Sequence, residues 1–153
     1  MNHNPTLKPI AVATLVCGTL DILWAVILTL WFGRDPANML RFVASGPFPG
    51  ATDMGGAGAI LGLLVHFALM AIMAAAYMIL APRIRLLLDR PWIGGLLFGL
   101  VTYVIMNLLV VPLRFGTPLP PSATSIATQL FAHVVLVGWP MAWIAARNLR
   151  SRS

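Results

Sequence analysis

Gly62-Leu-Leu-Val-His-Phe-Ala-Leu-Met-Ala-Ile-Met-Ala-Ala-Ala-Tyr-Met-Ile-Leu-Ala81 decides the fold. As a helix this run reaches the ~20 residues that cross ~30 Å of hydrocarbon. It nevertheless carries an ionisable His66 well inside. Lipid offers an imidazole no hydrogen-bond partner, so His66 must face other helices or a water-filled cavity. Three further runs match it in length, and each brings polar residues of its own. The expected spans are about 10–31, 57–81, 92–113 and 125–146. The pattern predicts an all-α polytopic membrane protein, a four-helix bundle forming a single domain over 1–153.

Composition points the same way. Of the 153 residues 59% are hydrophobic and 9% charged, against roughly 25% charged in soluble domains. The net charge of +6 comes from arginines at the ends of apolar runs. That placement suits topology and lipid headgroups, and no nucleic-acid partner is expected. A lone Cys17 excludes an intrachain disulfide and a cysteine-based zinc site, and it reads as a small packing residue. The first run, Pro9 or Ile10 to Trp31, is longer than the 7–15-residue apolar core of a signal peptide and contains Asp21. It is read as a span.

Basic residues orient the chain. Lys8, Arg83, Arg85, Arg90, Arg147, Arg150 and Arg152 fall on one side; Arg34, Arg41 and Arg114 fall on the other. This excess places both termini in the cytoplasm. In the first outer loop, Asp35-Pro36 supplies an N-cap and a first-turn proline, and Gly46 a stop. Met39, Leu40, Phe42 and Val43 between them predict a short amphipathic helix that lies in the interface or caps the bundle. The second outer loop, 116–122, is Pro-rich, with Ser122 or Thr124 to cap the last helix. Leu63-Leu-Val-His66 aligns with Leu130-Phe-Ala-His133, which hints at two similar hairpins related by an axis along the membrane normal.

Within the spans, Thr14, Gly18, Asp21, Ala25 and Thr29 share one helix face, as do Gly58, Gly62, His66, Met70, Met73 and Tyr77. Gly95 and Gly99 form a second small-residue pair, followed along their side by Asn107 and Arg114. Ser125, Gln129, His133 and Pro140 mark the fourth span. Glycines at these steps let helices approach closely. At ~1.5 Å per residue, Asp21 falls near mid-bilayer, His66 and His133 at or just outside it, Asn107 and Gln129 in the outer half, and Arg114 near the outer boundary. Asp21, His66, Asn107, His133, Gln129 and Arg114 are therefore the expected polar cluster.

Three readings of that cluster stand side by side. It is interhelical glue, worth ~0.6–2 kcal/mol per bond. It is a proton relay or proton-coupled solute site, because histidine titrates near neutral pH. Or His66 and His133, at similar depth, ligate haem or a metal. The chain has no His-Glu-x-x-His, no Gly-x-Ser-x-Gly, no paired carboxylates and no glutamate, so no enzyme is expected. Against haem or metal stands that only one such histidine pair exists, with no propionate partner beyond Arg114, so no metal or cofactor is expected. A structural or assembly subunit, packing on a second copy or on other membrane proteins through its Gly faces, is the rival from another class. Pro112 and Pro140 each free a carbonyl and can kink a helix. Trp24, Trp31, Trp92, Trp139 and Trp143 read as interface anchors.

Gly18-Thr-Leu-Asp21, Val43-Ala-Ser-Gly46, Gly55-Gly56, His66-Phe67, Gly94-Gly95, Gly99, Tyr103, Met106-Asn107, Val111-Pro112-Leu113 and His133 resemble a family of small uncharacterised bacterial inner-membrane proteins. The second half also resembles, more distantly, the YagU-type proteins: a His-bearing helix, a Pro-basic turn, a Gly-rich helix ending in Pro-Leu, and another His-bearing helix. The resemblance implies a multi-span protein of the bacterial inner membrane. The association of YagU-type proteins with acid tolerance would suit buried histidines. The first half departs from that pattern, and no function is carried over.

Overall fold

The computed structural model describes residues 7–150. Arg152, counted above with the basic residues, lies outside them. The fold is all-helical, with four helices long and apolar enough to cross a membrane. They are α1 (Leu7–Trp31), α3 (Gly55–Leu80), α5 (Pro91–Phe115) and α6 (Ala123–Leu149). Among the described residues the spans are joined by two short α-helices, α2 (Pro36–Ser45) after the first and α4 (Arg85–Asp89) after the second, and by a 3-10 stretch, Pro49–Asp53, that follows α2. The α2 end is called the loop end below, and the α4 end the basic end.

Local chemistry sets these boundaries. The Asp35 carboxylate accepts the Ala37 N–H at 3.0 Å and starts α2. Ser122 Oγ accepts the Ser125 N–H at 3.2 Å and starts α6. Gly116, at φ +63°, ends α5 in the left-handed conformation that glycine reaches at little cost. Gly46 keeps a right-handed φ of −53°, so α2 stops because Pro47 follows it.

Arg114 fastens the end of α2 with Nε to the Gly46 carbonyl (2.7 Å) and a terminal nitrogen to that of Ser45 (2.8 Å). Arg150 does the same for α4, on the Leu88 and Asp89 carbonyls, both at 2.7 Å. A guanidinium on the last carbonyls of a helix answers both their unpaired lone pairs and the negative end of the dipole.

Packing follows the glycines, with one change of partner. Gly95 and Gly99 press α5 onto α6: a Cβ on Gly95 would lie 2.7 Å from the Gly138 carbonyl oxygen, and one on Gly99 2.6 Å from that of His133. Gly58 and Gly62, in contrast, do not meet another span. Gly62 receives α2, with the Leu40 carbonyl against it, and Gly58 receives the 3-10 stretch that follows, with the Ala51 carbonyl against it. Of the two sequence expectations for α2, capping the bundle is the one realised. Phe42 stacks on Phe115 at 4.2 Å and completes the cap.

Around the bundle α1 packs between α3 and α6, and α5 packs on α6. A two-fold axis relating the hairpins would demand that α3 and α5 pack as α1 and α6 do. They are not close-packed, and they meet through Tyr77, whose ring lies edge-on to Phe98 at 4.9 Å. The expected internal symmetry is therefore broken at one interface. The packed core lies in the basic half, where Ala13, Cys17, Ala74, Tyr77, Met141 and Ala145 are all 0% exposed. In the loop half, the missing α3–α5 interface leaves a space.

Candidate functional site

That space is a cavity of about 570 Å³ lined by all four spans and by Phe42 and Val43 of α2. Asp21, His66, Asn107, His133 and Gln129 all line it. Arg114 does not, because its guanidinium is spent on α2. Four of these side chains form two separate sets, Asp21 with His66 and Asn107 with His133, and among the described residues no hydrogen bond joins one set to the other or ties the Gln129 side chain to either. The interconnected cluster expected from the sequence is thus replaced by two pairs facing one cavity.

The first pair ties α1 to α3. His66 Nε2 lies 2.9 Å from the Gly18 carbonyl oxygen. A carbonyl only accepts, so Nε2 carries the hydrogen and donates it. The other ring nitrogen, Nδ1, faces the Asp21 carboxylate at 3.9 Å. Protonation of this pair is therefore decided at Nδ1 and the carboxylate. With one proton held between them the pair is neutral overall, whether as carboxylate and imidazolium or as carboxylic acid and imidazole. Neutrality matters here, since a lone charge at the centre of a spanning helix costs ~2.5–3.5 kcal/mol or more. Asp21 is 26% exposed and His66 11%, so the carboxylate reaches the cavity while the ring stays wedged between helices. Gly18 makes room for this arrangement, with the Phe67 ring lying over it.

The second pair ties α5 to α6. His133 Nδ1 lies 3.2 Å from Thr102 Oγ1, and Nε2 lies 3.1 Å from Asn107 Nδ2. The Thr102 hydroxyl is 2.9 Å from the Phe98 carbonyl oxygen and 3.1 Å from that of Gly99. Its single hydrogen goes to these carbonyls, so it accepts from His133 Nδ1–H. Nε2 then accepts from the Asn107 amide, and the imidazole is a fully partnered neutral ring.

Both members of this second pair stand on widened helix. α5 is π-helical over Val104–Val110 and α6 over Ala132–Gly138. Each stretch is followed by a proline, Pro112 or Pro140, at the second position of the next α-helical segment. Proline lacks an N–H, and its ring crowds the carbonyl four residues back; taking in one extra residue per turn relieves both problems. The wide turn also puts Thr102 and Asn107, five residues apart, on one side of α5, where His133 touches both. The same phase shift turns Arg114 away from Asn107, although their heptad spacing would align them on an unbroken α-helix.

Thr102 was not singled out in the sequence. Its hydroxyl is folded back on its own helix, so in an apolar run it reads as a packing residue. The signal for it was the pair of prolines, each marking a widened turn just before it. Trp24 also differs from the anchor role expected for it. Its Nε1–H donates to the Thr128 carbonyl at 3.3 Å and its ring lies 4.8 Å from Phe131, so it joins α1 to α6. Cys17 packs as expected, fully buried, with its thiol 3.5 Å from the Val137 carbonyl oxygen.

The haem reading meets a chemical obstacle in these contacts. Both His133 nitrogens are engaged and His66 Nε2 is held by Gly18, so His66 Nδ1 alone is open and the two rings do not offer the pair of nitrogens that bis-histidine ligation needs. Among the described residues no three His, Cys, Asp or Glu side chains gather as a metal site. What the cavity does offer is a carboxylate and an imidazole nitrogen 3.9 Å apart, in a space large enough for a small molecule. No known family, curated protein or solved structure matches the chain.

Proposed function

We propose that this integral membrane protein is a proton-linked carrier of a small solute, non-enzymatic, with Asp21 and His66 as the proton-exchanging pair. One observation carries the reading: the Gly18 carbonyl fixes the hydrogen on His66 Nε2 and leaves Nδ1 turned to Asp21 at the edge of the cavity. The other titratable or charged groups lining that space are His133 of α6, already partnered, and Arg34 of the first loop. Core side chains such as Tyr77 and Met141 fill the basic half. A space filled at one end suits a carrier with a mid-membrane site and is unlike an open pore.

The orientation belongs to the same proposal. The basic end faces the cytoplasm of a bacterial cell, in its inner membrane, and the cavity opens outward. The glycine faces through which an assembly subunit would receive partners are occupied by the first loop and α6 of the chain itself, which supports the carrier over that rival.

Proteoliposomes holding a pH-sensitive dye test the reading. The protein should dissipate an imposed pH gradient, and Asp21→Asn and His66→Gln should each slow this about tenfold, a barrier change of ~1.4 kcal/mol. Wild-type rates in both folded variants would overturn the carrier and leave a scaffold.

A further inference from the structure

We infer that the solute is a small amphipathic carboxylate, and that Arg34 receives its carboxylate group at the mouth of the cavity. The inference rests on the carrier reading and adds the chemical class. Arg34 lines the central cavity and also an adjoining vestibule of about 430 Å³ at the loop end; Ser125 and Gln129 line both as well. The two spaces therefore meet at these three side chains.

The charges of that end decide what the mouth selects. Asp35 lies 3.8 Å from Arg41, whose guanidinium also donates to the Gly55 carbonyl at 3.2 Å. Arg114 is bound to the end of α2. Asp53 lines neither space. Asp21 is answered by His66. Among the described residues the Arg34 guanidinium alone, of the charged groups lining the two spaces, has neither an ion pair nor a hydrogen bond. The passage thus carries one uncompensated positive charge, complementary to a monoanion. A guanidinium fork fits a carboxylate with two parallel N–H donors.

Beyond Arg34 the wall sets apolar side chains, Leu69, Met73, Met106 and Val137, between the polar ones already named. Unbranched methionines adapt to irregular apolar shapes. A carboxylate head at Arg34 with a short apolar body directed inward uses both parts of the wall. An organic cation would instead meet Arg34 on its way in.

Equilibrium binding to the full chain in detergent tests this with benzoate, benzylammonium and benzyl alcohol as probes. Benzoate should bind saturably, about tenfold more weakly to Arg34→Gln and with an intermediate loss in Arg34→Lys, which keeps the charge without the fork, while benzylammonium should not saturate. Arg34 is exposed, so the variants should fold; an unchanged elution profile and melting temperature verify it. Subtracting the Arg34→Gln signal removes partition into micelles. Competition by oleate would mark an acid drawn from the bilayer, and its absence one taken from water; both fit the class. Saturable benzylammonium binding, no benzoate binding, or equal benzoate affinity in Arg34→Gln would overturn it. Proton flux in the Asp21 and His66 variants is measured separately, so a failure here leaves the carrier reading to its own test.

Discussion

His66 and His133 sit in similar sequence, Leu-Leu-Val-His and Leu-Phe-Ala-His, yet the structure gives them opposite chemistry. His133 has a partner for each nitrogen, Thr102 and Asn107, and its ring is one more strut between α5 and α6. His66 has a partner for one nitrogen and an acid opposite the other. An imidazole whose hydrogen bonds are complete is a packing device. One left with an open nitrogen beside a carboxylate is where the proposed carrier would take up and release its proton. The difference arises from the surroundings: prolines widen the helices at His133, while a glycine carbonyl on α1 receives His66.

The comparison can be broken at the glycines beside each ring. Gly99 faces backbone, the His133 carbonyl and Val134 Cα, whereas Gly18 faces the Phe67 ring, which can rotate. Gly99→Ala should therefore cost about 2–3 kcal/mol of stability, and Gly18→Ala about 1 kcal/mol, read from denaturation in detergent. His133→Leu comes next. It strips Asn107 of its ring partner, so a loss of about 2 kcal/mol is expected with proton flux retained in the folded fraction. Asp21→Asn should do the reverse, with flux down roughly tenfold, equivalent to ~1.4 kcal/mol, and the melting temperature little changed. The smallest effect belongs to Trp24→Phe, which loses only the bond to the Thr128 carbonyl, about 1 kcal/mol.

The sequence made the four spans, the capped α2 and the inward faces legible, because hydrocarbon thickness and helical period act on each segment by itself. Asp21, His66, Asn107, His133 and Gln129 were read on inward faces, and all five line the cavity. What did not follow was partnership. Gly58 and Gly62 announce a close approach, but nothing in their spacing says that a loop helix makes it. Arg114 was assigned to the polar cluster by a heptad count that holds only on unbroken α-helix, and the π segment over Val104–Val110 invalidates that count. Thr102 was hidden because a threonine bonded to its own backbone looks apolar. Short motif similarity at the two histidines suggested symmetry, and the open α3–α5 side shows that local likeness does not dictate which helices pack.

Nitrogen-15 NMR of the two imidazoles tests the central claim most directly. The account predicts that the rings, wherever neutral, hold opposite tautomers, hydrogen on Nε2 for His66 and on Nδ1 for His133, with Asp21→Asn perturbing the His66 signals and leaving those of His133 in place. The same tautomer at both rings, or His66 signals indifferent to Asp21→Asn, would contradict it.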